Sequence, residues 1–323
     1  MHAAMQKQQL PHVPSVEDPD DLESPIGIEA GVLAIQPQTG GDKTLQKVGF
    51  WERPPTTYQA PTEGTTMLRF EILLARIMPP EGEDPKMKRY VVYNLSVRQD
   101  SSSVDTQPAT IERRYTDFRE LYAALRQQFP NAMTNKYFPS KVLMGNFSSD
   151  LIAERSDAFE AFLTYVAGHH LLRDSPAFLH FLQDQELSQA CQFLDERRNE
   201  LAIPMLENCF RLLNKIFMDR SRPVLLILCR LVAACTNSPV PHHSAERWAL
   251  LALARFDTLC DIDLLALYIP LLHTCAHLWW QRGQDQKPIT DRLTDMTKKG
   301  INTTNTTTLM QAIHKIDPRT ETM

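Results

Sequence analysis

The order of apolar and polar positions divides the chain into three stretches. From about residue 66 the pattern has period two. In "MLRFEILLARI" (67–77), Leu68, Phe70, Ile72 and Leu74 fall on one face, as in a strand buried on one side. "KRYVVYNLSVRQ" (88–99) predicts a second strand and "ATIERRY" (109–115) a third, joined by "PEGEDPKM" and "DSSSVDTQP". Three consecutive strands with short links predict an antiparallel meander. The period then becomes helical. Phe118, Leu121, Tyr122, Leu125 and Phe129 form an apolar stripe that stops at Pro130, and Asp117 and Glu120 have the spacing of a capping box. "NKYFPSKVLMGNFSSD" (135–150) is irregular. Helices are expected over "LIAERSDAFEAFLTYVAG" (151–168) and "SPAFLHFLQD" (175–184).

Beyond residue 185 the pattern stays helical to about 299, over 186–197, 199–218, 221–236, 243–258, 262–282 and 285–299. Six such helices in antiparallel pairs make a compact bundle or short solenoid. "LMQAIHKI" (309–316) predicts a last short helix packing back. The first 64 residues lack any such period. They are rich in Pro, Gly, Thr and Gln and include the acidic "VEDPDDLESP" (16–25), a composition that buries no core and reads as disordered. Within them, Phe50 and Trp51 of "VGFWERPPTTY" are either anchors on the next domain or linker aromatics. The expected organisation is a disordered region over 1–64, an α+β domain over 65–185 and a helical domain over 186–318.

Composition narrows the function. The 323 residues carry a formal net charge of −5, so bulk attraction to nucleic acid or an anionic membrane is not expected. Anion recognition then has to come from a few placed side chains. "MHAAMQKQQLPHVP" lacks the apolar centre of a secretory signal, which points to a cytoplasmic protein. The apolar run 264–280 holds Pro270, His273 and His277 and reads as a buried helix, not a membrane span. All six cysteines fall at 191 or later without a CxxC, as reduced core thiols would. The sequons at Asn94, Asn146, Asn302 and Asn305 read as chance matches. His273 and His277 share a helix face, but no HExxH and no third ligand accompany them. No P-loop, GxGxxG or GxSxG is present. No catalytic residue, metal or cofactor is expected.

Chemistry concentrates at "TIERRYTDFREL" (110–121), where the strand period gives way to the helical one. A guanidinium there can grip a phosphate with two parallel hydrogen bonds. A tyrosine beside it offers a flat apolar surface, and a helix N-terminus favours anions. On residue type alone, Arg114 paired with Glu112 or Asp117 is the alternative.

"RRYTDF" (113–118), "FPSK" (138–141), "IAERSDAFEAFL" (152–163) and "VAGHHLL" with "FLHFLQD" (166–184) follow one another in the order found in the Phox-homology (PX) domain of sorting nexins. The chain resembles that domain over about 65–185. The resemblance implies that Arg114 holds the 3-phosphate of an inositol lipid and that Tyr115 stacks under the ring. It implies that Lys141 contacts the 1-phosphate near the bilayer and that Arg155 bonds the ring's 4 and 5 positions. Arg113, on the opposite strand face, is expected to face solvent or pair with an acid. Ser140 departs from the pattern, since many relatives carry a second proline there. Val142, Leu143 and Met144 either dip into the lipid interface or pack on the domain's own helices. The helical stretch, through its position and "PLLHTCAHLWWQRG" (270–283), resembles the tetratricopeptide-like PX-associated B domain of the sorting nexin twenty and twenty-one type. In that context Trp279 and Trp280 fill a groove between helices or cap the core.

Together these imply a non-catalytic adaptor that reads phosphatidylinositol 3-phosphate as a peripheral protein of early endosome membranes. Its helical domain would bring protein cargo or a scaffold. The alternatives are a scaffold that does not depend on lipid, or recognition of phosphatidylinositol 4,5-bisphosphate. The oligomeric state is left open.

Overall fold

The structure, a computed structural model, describes residues 49–54, 67–79, 89–101, 105–142, 144–257, 262–304 and 307–318. Four strands alternate in direction in the order β1-β2-β3-β4: β1 Gly49–Glu52, β2 Met67–Met78, β3 Tyr90–Asp100 and β4 Ala109–Arg114. The expected meander of three strands is therefore one strand short. The extra strand, β1, comes from the segment expected to be disordered, and it pairs with the far end of β2. Trp51 packs against the core, so the anchoring alternative holds for it. Arg53 locks the strand end. Its guanidinium donates to the Ile72 carbonyl (3.2 Å), Asp157 (2.8 Å) and Glu160 (2.7 Å). Burial pushes the Glu160 carboxyl up to about 7, against the pull of the Ile72 N–H and Arg53. Four residues are too few to show a period, which is why the strand is silent in the sequence. The rest of 1–64 lies outside the described residues, apart from Arg53 and Pro54.

A second departure lies inside β2. The register with β3 shifts between Ile72 and Leu74. Leu73 is the extra residue, 44% exposed, and the face presented to the core changes phase after it. Phe70 and Ile72 point inward as expected, but Ala75 takes the next core position in place of Leu74.

Ten helices follow among the described residues: α1 Tyr115–Gln128, α2 Ser149–Gly168, α3 His170–Arg173, α4 Pro176–Asp195, α5 Asn199–Ile216, α6 Arg222–Thr236, α7 Ala245–Phe256, α8 Ile262–Gln281, α9 Lys287–Lys298 and α10 Leu309–Ile316. The first begins two residues before the expected Asp117 cap. Arg114 is its N-cap, and the Asp117 carboxylate accepts from the Arg114 backbone N–H at 2.7 Å. Over the sheet, Phe118 stacks on Phe159 of α2 (centroids 3.9 Å apart), with Tyr93 edge-on to both.

Helix α4 is one continuous element where two were expected. The Ser175 hydroxyl caps its start and no breaker interrupts 184–186. It therefore runs through the boundary expected at 185/186. Helix α5 then lies along β4, the sheet's outer strand, and Asn208 pairs with both the N–H and the carbonyl of Thr110 (3.2 and 2.7 Å). Those groups of an edge strand would otherwise stay open. Consecutive helices from α4 to α9 pack on one another, and α10 returns between α6 and α8. A buried ion pair, Arg230 to Asp317 at 3.2 Å, closes that end.

The apolar run 264–280 is indeed the helix α8, with Leu264, Leu267, Leu271, Leu272, Cys275 and Leu278 buried. No helix among the described residues is long and apolar enough to cross a membrane. Trp279 packs on the core, but Trp280 is 65% exposed and does neither thing expected of it. One helical step turns it about 100° toward solvent. His273 bonds the Thr303 carbonyl at 2.8 Å. Cys209, Cys229, Cys235 and Cys275 are free and buried, and burial pushes the thiols of Cys209, Cys235 and Cys275 up to about 12. Cys191 is half-buried, and Cys260 lies outside the described residues.

Candidate anion-binding site

Adjacent arginines end β4, and the pleat sends them to opposite faces. Arg113 turns inward and is 1% exposed. Its guanidinium meets both Glu186 carboxylate oxygens (2.6 and 2.7 Å) and donates to the carbonyls of Phe181 and Glu112 (2.7 Å each). Of the two expectations for this residue, pairing with an acid holds and facing solvent does not. Its partner sits on α4, 73 residues later, a separation no local motif reveals.

Arg114 turns the other way. It is half-buried, with its guanidinium 3.5 Å from the centre of the Tyr90 ring. The register explains the contact. Val92 lies opposite Arg114, and Tyr90 is the diagonal neighbour on the same face. Tyr90 carries no motif, and the sequence reading missed it.

Tyr115, the first residue of α1, is 7% exposed. Its hydroxyl donates to the Pro139 carbonyl at 2.9 Å, and its ring packs on Phe138 and Phe159. Phe138 also stacks on Tyr122 at 4.7 Å. The FPSK segment is thus fastened through Phe138 and Pro139, while Ser140 is exposed and Lys141 half-exposed. Further on, Gly145 has φ +82°, a conformation that strains a side chain even with open space around it. That turn lets Asn146 reach back to the Val142 carbonyl (3.4 Å). Val142 is half-buried, Met144 is 68% exposed, and Leu143 lies outside the described residues.

Arg155, on the second turn of α2, is 2% exposed and lies over the Tyr115 ring, 4.2 Å from its centre. It donates to the Asn146 side chain at 3.3 Å, and its enclosed Nε has no hydrogen-bond partner. No carboxylate among the described residues pairs with it. Burial, and then the positive charge of Arg155, lower the Lys141 pKa. The two cations thus lie close enough to repel each other, an arrangement that a polyanion relieves. A phosphate placed between them would raise the Lys141 pKa again. Affinity for an anion should therefore fall as pH rises on the alkaline side, with proton uptake on binding. Calorimetry in two buffers of different ionisation enthalpy reads that uptake, and Lys141→Ala should abolish it.

The structure thus stacks Arg155 on Tyr115, fastens the segment that carries Lys141 to Tyr115 through Pro139, sets Arg114 over Tyr90 and places Asn146 beside Arg155. Residues 102–185 match the family model of the PX domain, and the antiparallel sheet followed by helices is that fold. The chain is 30% identical to human sorting nexin-21 over 266 residues, which is 82% of this chain and 68% of that one. It is 32% identical to bovine sorting nexin-20 over 228 residues, 70% of this chain and 68% of that one. Over 97 residues it is 32% identical to the vacuolar protein sorting-associated protein vps5 of Schizosaccharomyces pombe, covering 30% of this chain and 17% of that one. The chain belongs to the sorting nexin family, of the sorting nexin twenty and twenty-one type. As a sorting nexin with a PX domain it is a phosphoinositide-binding trafficking adaptor.

Proposed function

We propose that the corner of β4 and α1 binds the headgroup of phosphatidylinositol 3-phosphate and so holds the protein on early endosomes as a non-catalytic adaptor. The observation that carries this reading is Arg155, a buried guanidinium with an unpaired Nε beside a cation of depressed pKa. In this reading Arg114 grips the 3-phosphate and Arg155 the 4 and 5 positions of the ring. Tyr115 forms the floor beneath the ring and props Arg155. Lys141 meets the 1-phosphate, where the segment Val142, Leu143 and Met144 touches the lipid interface with Met144 leading. The helical domain, tetratricopeptide-like in this reading, brings protein cargo or a scaffold to that membrane.

Liposome co-sedimentation tests the lipid half. Vesicles containing phosphatidylinositol 3-phosphate, phosphatidylinositol 4,5-bisphosphate or phosphatidylserine are compared at matched total charge. The 3-phosphate lipid should pellet the protein selectively. Arg114→Ala should weaken that binding about 10- to 100-fold, the value of one or two charged hydrogen bonds. Equal pelleting of both proteins would mean that Arg114 is structural. A preference for the bisphosphate would reassign the headgroup.

A further inference from the structure

Where the PX domain meets the helical domain lies a groove of about 580 Å³, within the range of sites that take a specific ligand. Leu179 of α4, Phe217 and Met218 of the α5–α6 turn, Leu226 of α6 and Ile316 of α10 make its apolar walls. Met218 is 77% exposed. The charges of the lining cancel, for they are Arg173, Asp174, Arg222 and Asp317. Each is also engaged within the protein. Arg173 pairs with Asp174 (2.9 Å), Asp317 pairs with the buried Arg230 (3.2 Å), and Arg222 donates to the Ile316 carbonyl (3.3 Å). Ser221, in the same wall, has an enclosed hydroxyl with no hydrogen-bond partner. An apolar trough with cancelled charge takes up a charged ligand poorly. It suits an apolar, nearly uncharged segment whose backbone brings hydrogen-bonding groups for Ser221.

The chain carries a segment of that chemistry outside the described residues. "IGIEAGVLAI" (26–35) sets Ile26, Ile28, Val32, Leu33 and Ile35 close together, with Glu29 as its one charge. The stretch before it, "SVEDPDDLES" (15–24), is acidic. Residues 319–323 follow Pro318 in the groove wall, but they hold Arg319 and Glu321 against a single large apolar residue, Met323. Reach favours 26–35 as well. Arg53, just after β1, is fastened to α2 at Asp157 and Glu160. From Glu160, α2 and α3 lead to Arg173 in the groove wall, about 20 Å along a helix. The strand β1 adds about 13 Å. Residues 36–48, extended, reach about 45 Å. We propose that residues 26–35 bind this groove of their own chain, with the apolar side chains in the trough and the backbone meeting Ser221. A tethered segment faces its site at an effective concentration on the order of millimolar, so a modest affinity keeps the groove filled. A partner protein that uses the groove has to present the same apolar chemistry and displace the segment.

Photo-crosslinking on the full chain tests it, with p-benzoylphenylalanine in place of the exposed Met218. The main crosslink should join position 218 to residues 26–35 of the same molecule, at a yield that tenfold dilution leaves unchanged. Val32→Asp together with Leu33→Asp should cut that yield at least fivefold. A labelled peptide of residues 24–37, followed by fluorescence anisotropy, should bind this double variant at least tenfold more tightly than the wild type, whose groove is occupied. Adding Met218→Asp should remove the gain. Crosslinks to residues 319–323 would assign the groove to the other end of the chain and overturn the proposal. Crosslinks between two copies would overturn it in favour of self-association. The absence of any crosslink to 26–35, or equal peptide binding by the wild type and the double variant, would overturn it as well.

Discussion

Replacing Arg113 by alanine should cost about 3–5 kcal/mol of folding stability, the usual consequence of removing one member of a buried, hydrogen-bonded ion pair. The guanidinium bonds the Glu186 carboxylate with both prongs and takes two backbone carbonyls, all from a position that is 1% exposed. Its loss leaves a largely buried carboxylate and the Phe181 carbonyl without their donor. In a unit of this size each kcal/mol shifts the melting temperature by about 2–4 °C, so scanning calorimetry should show a drop of about 10 °C. Arg113→Lys should recover only part of it, because an ammonium cannot reproduce the fork. Arg114→Ala, one residue on, should change stability by less than about 1 kcal/mol. Its backbone N–H still reaches Asp117, and only a half-buried side chain is removed. Comparable losses for the two variants would refute this division of labour.

Arg155→Met should have two opposed effects. It removes a guanidinium that is 2% exposed, has no carboxylate partner among the described residues, and has an unpaired Nε. Filling that space with an apolar side chain should raise stability by about 1–2 kcal/mol, since isolated buried charge is costly and the stacking on Tyr115 returns only part of it. Lys141 should regain a higher pKa, because one of the two causes of its depression disappears. Headgroup affinity should fall at least about tenfold at the same time. Chemical denaturation and lipid binding on one preparation read both. A loss of stability greater than about 1 kcal/mol would make Arg155 a strut of the Arg113 kind.

Strands β2 to β4 and the apolar faces of most helices were legible in the sequence, because period and burial coincide there. Legibility failed where geometry comes from a distant partner. The strand β1 owes its place to Arg53 reaching α2, more than a hundred residues away. The inward Ala75 follows from a bulge that shifts the phase at Leu73, which residue types alone do not announce. The unbroken α4 was split because the PX resemblance stops near residue 185 while the hydrogen-bonded helix does not. In the site, the motif residues were readable because chemistry concentrates there. Tyr90 beneath Arg114 and Asn146 beside Arg155 were not. One depends on strand register and the other on a turn at Gly145. Arg113 and Arg114 look alike in the sequence, and only the pleat and Glu186 separate a buried anchor from a half-buried cation on the other face.

In the proposed site the second arginine of the pair, with Lys141 and Arg155, faces a phosphoinositide headgroup. A thermal-shift titration with soluble dibutanoyl phosphatidylinositol 3-phosphate tests it most directly, since a ligand that binds the folded state raises its melting temperature as occupancy grows. The wild type should shift upward with ligand, while Arg114→Ala and Arg155→Met should need at least about tenfold more ligand for the same shift, whatever their starting stability. Equal ligand-induced shifts in all three proteins would contradict the account.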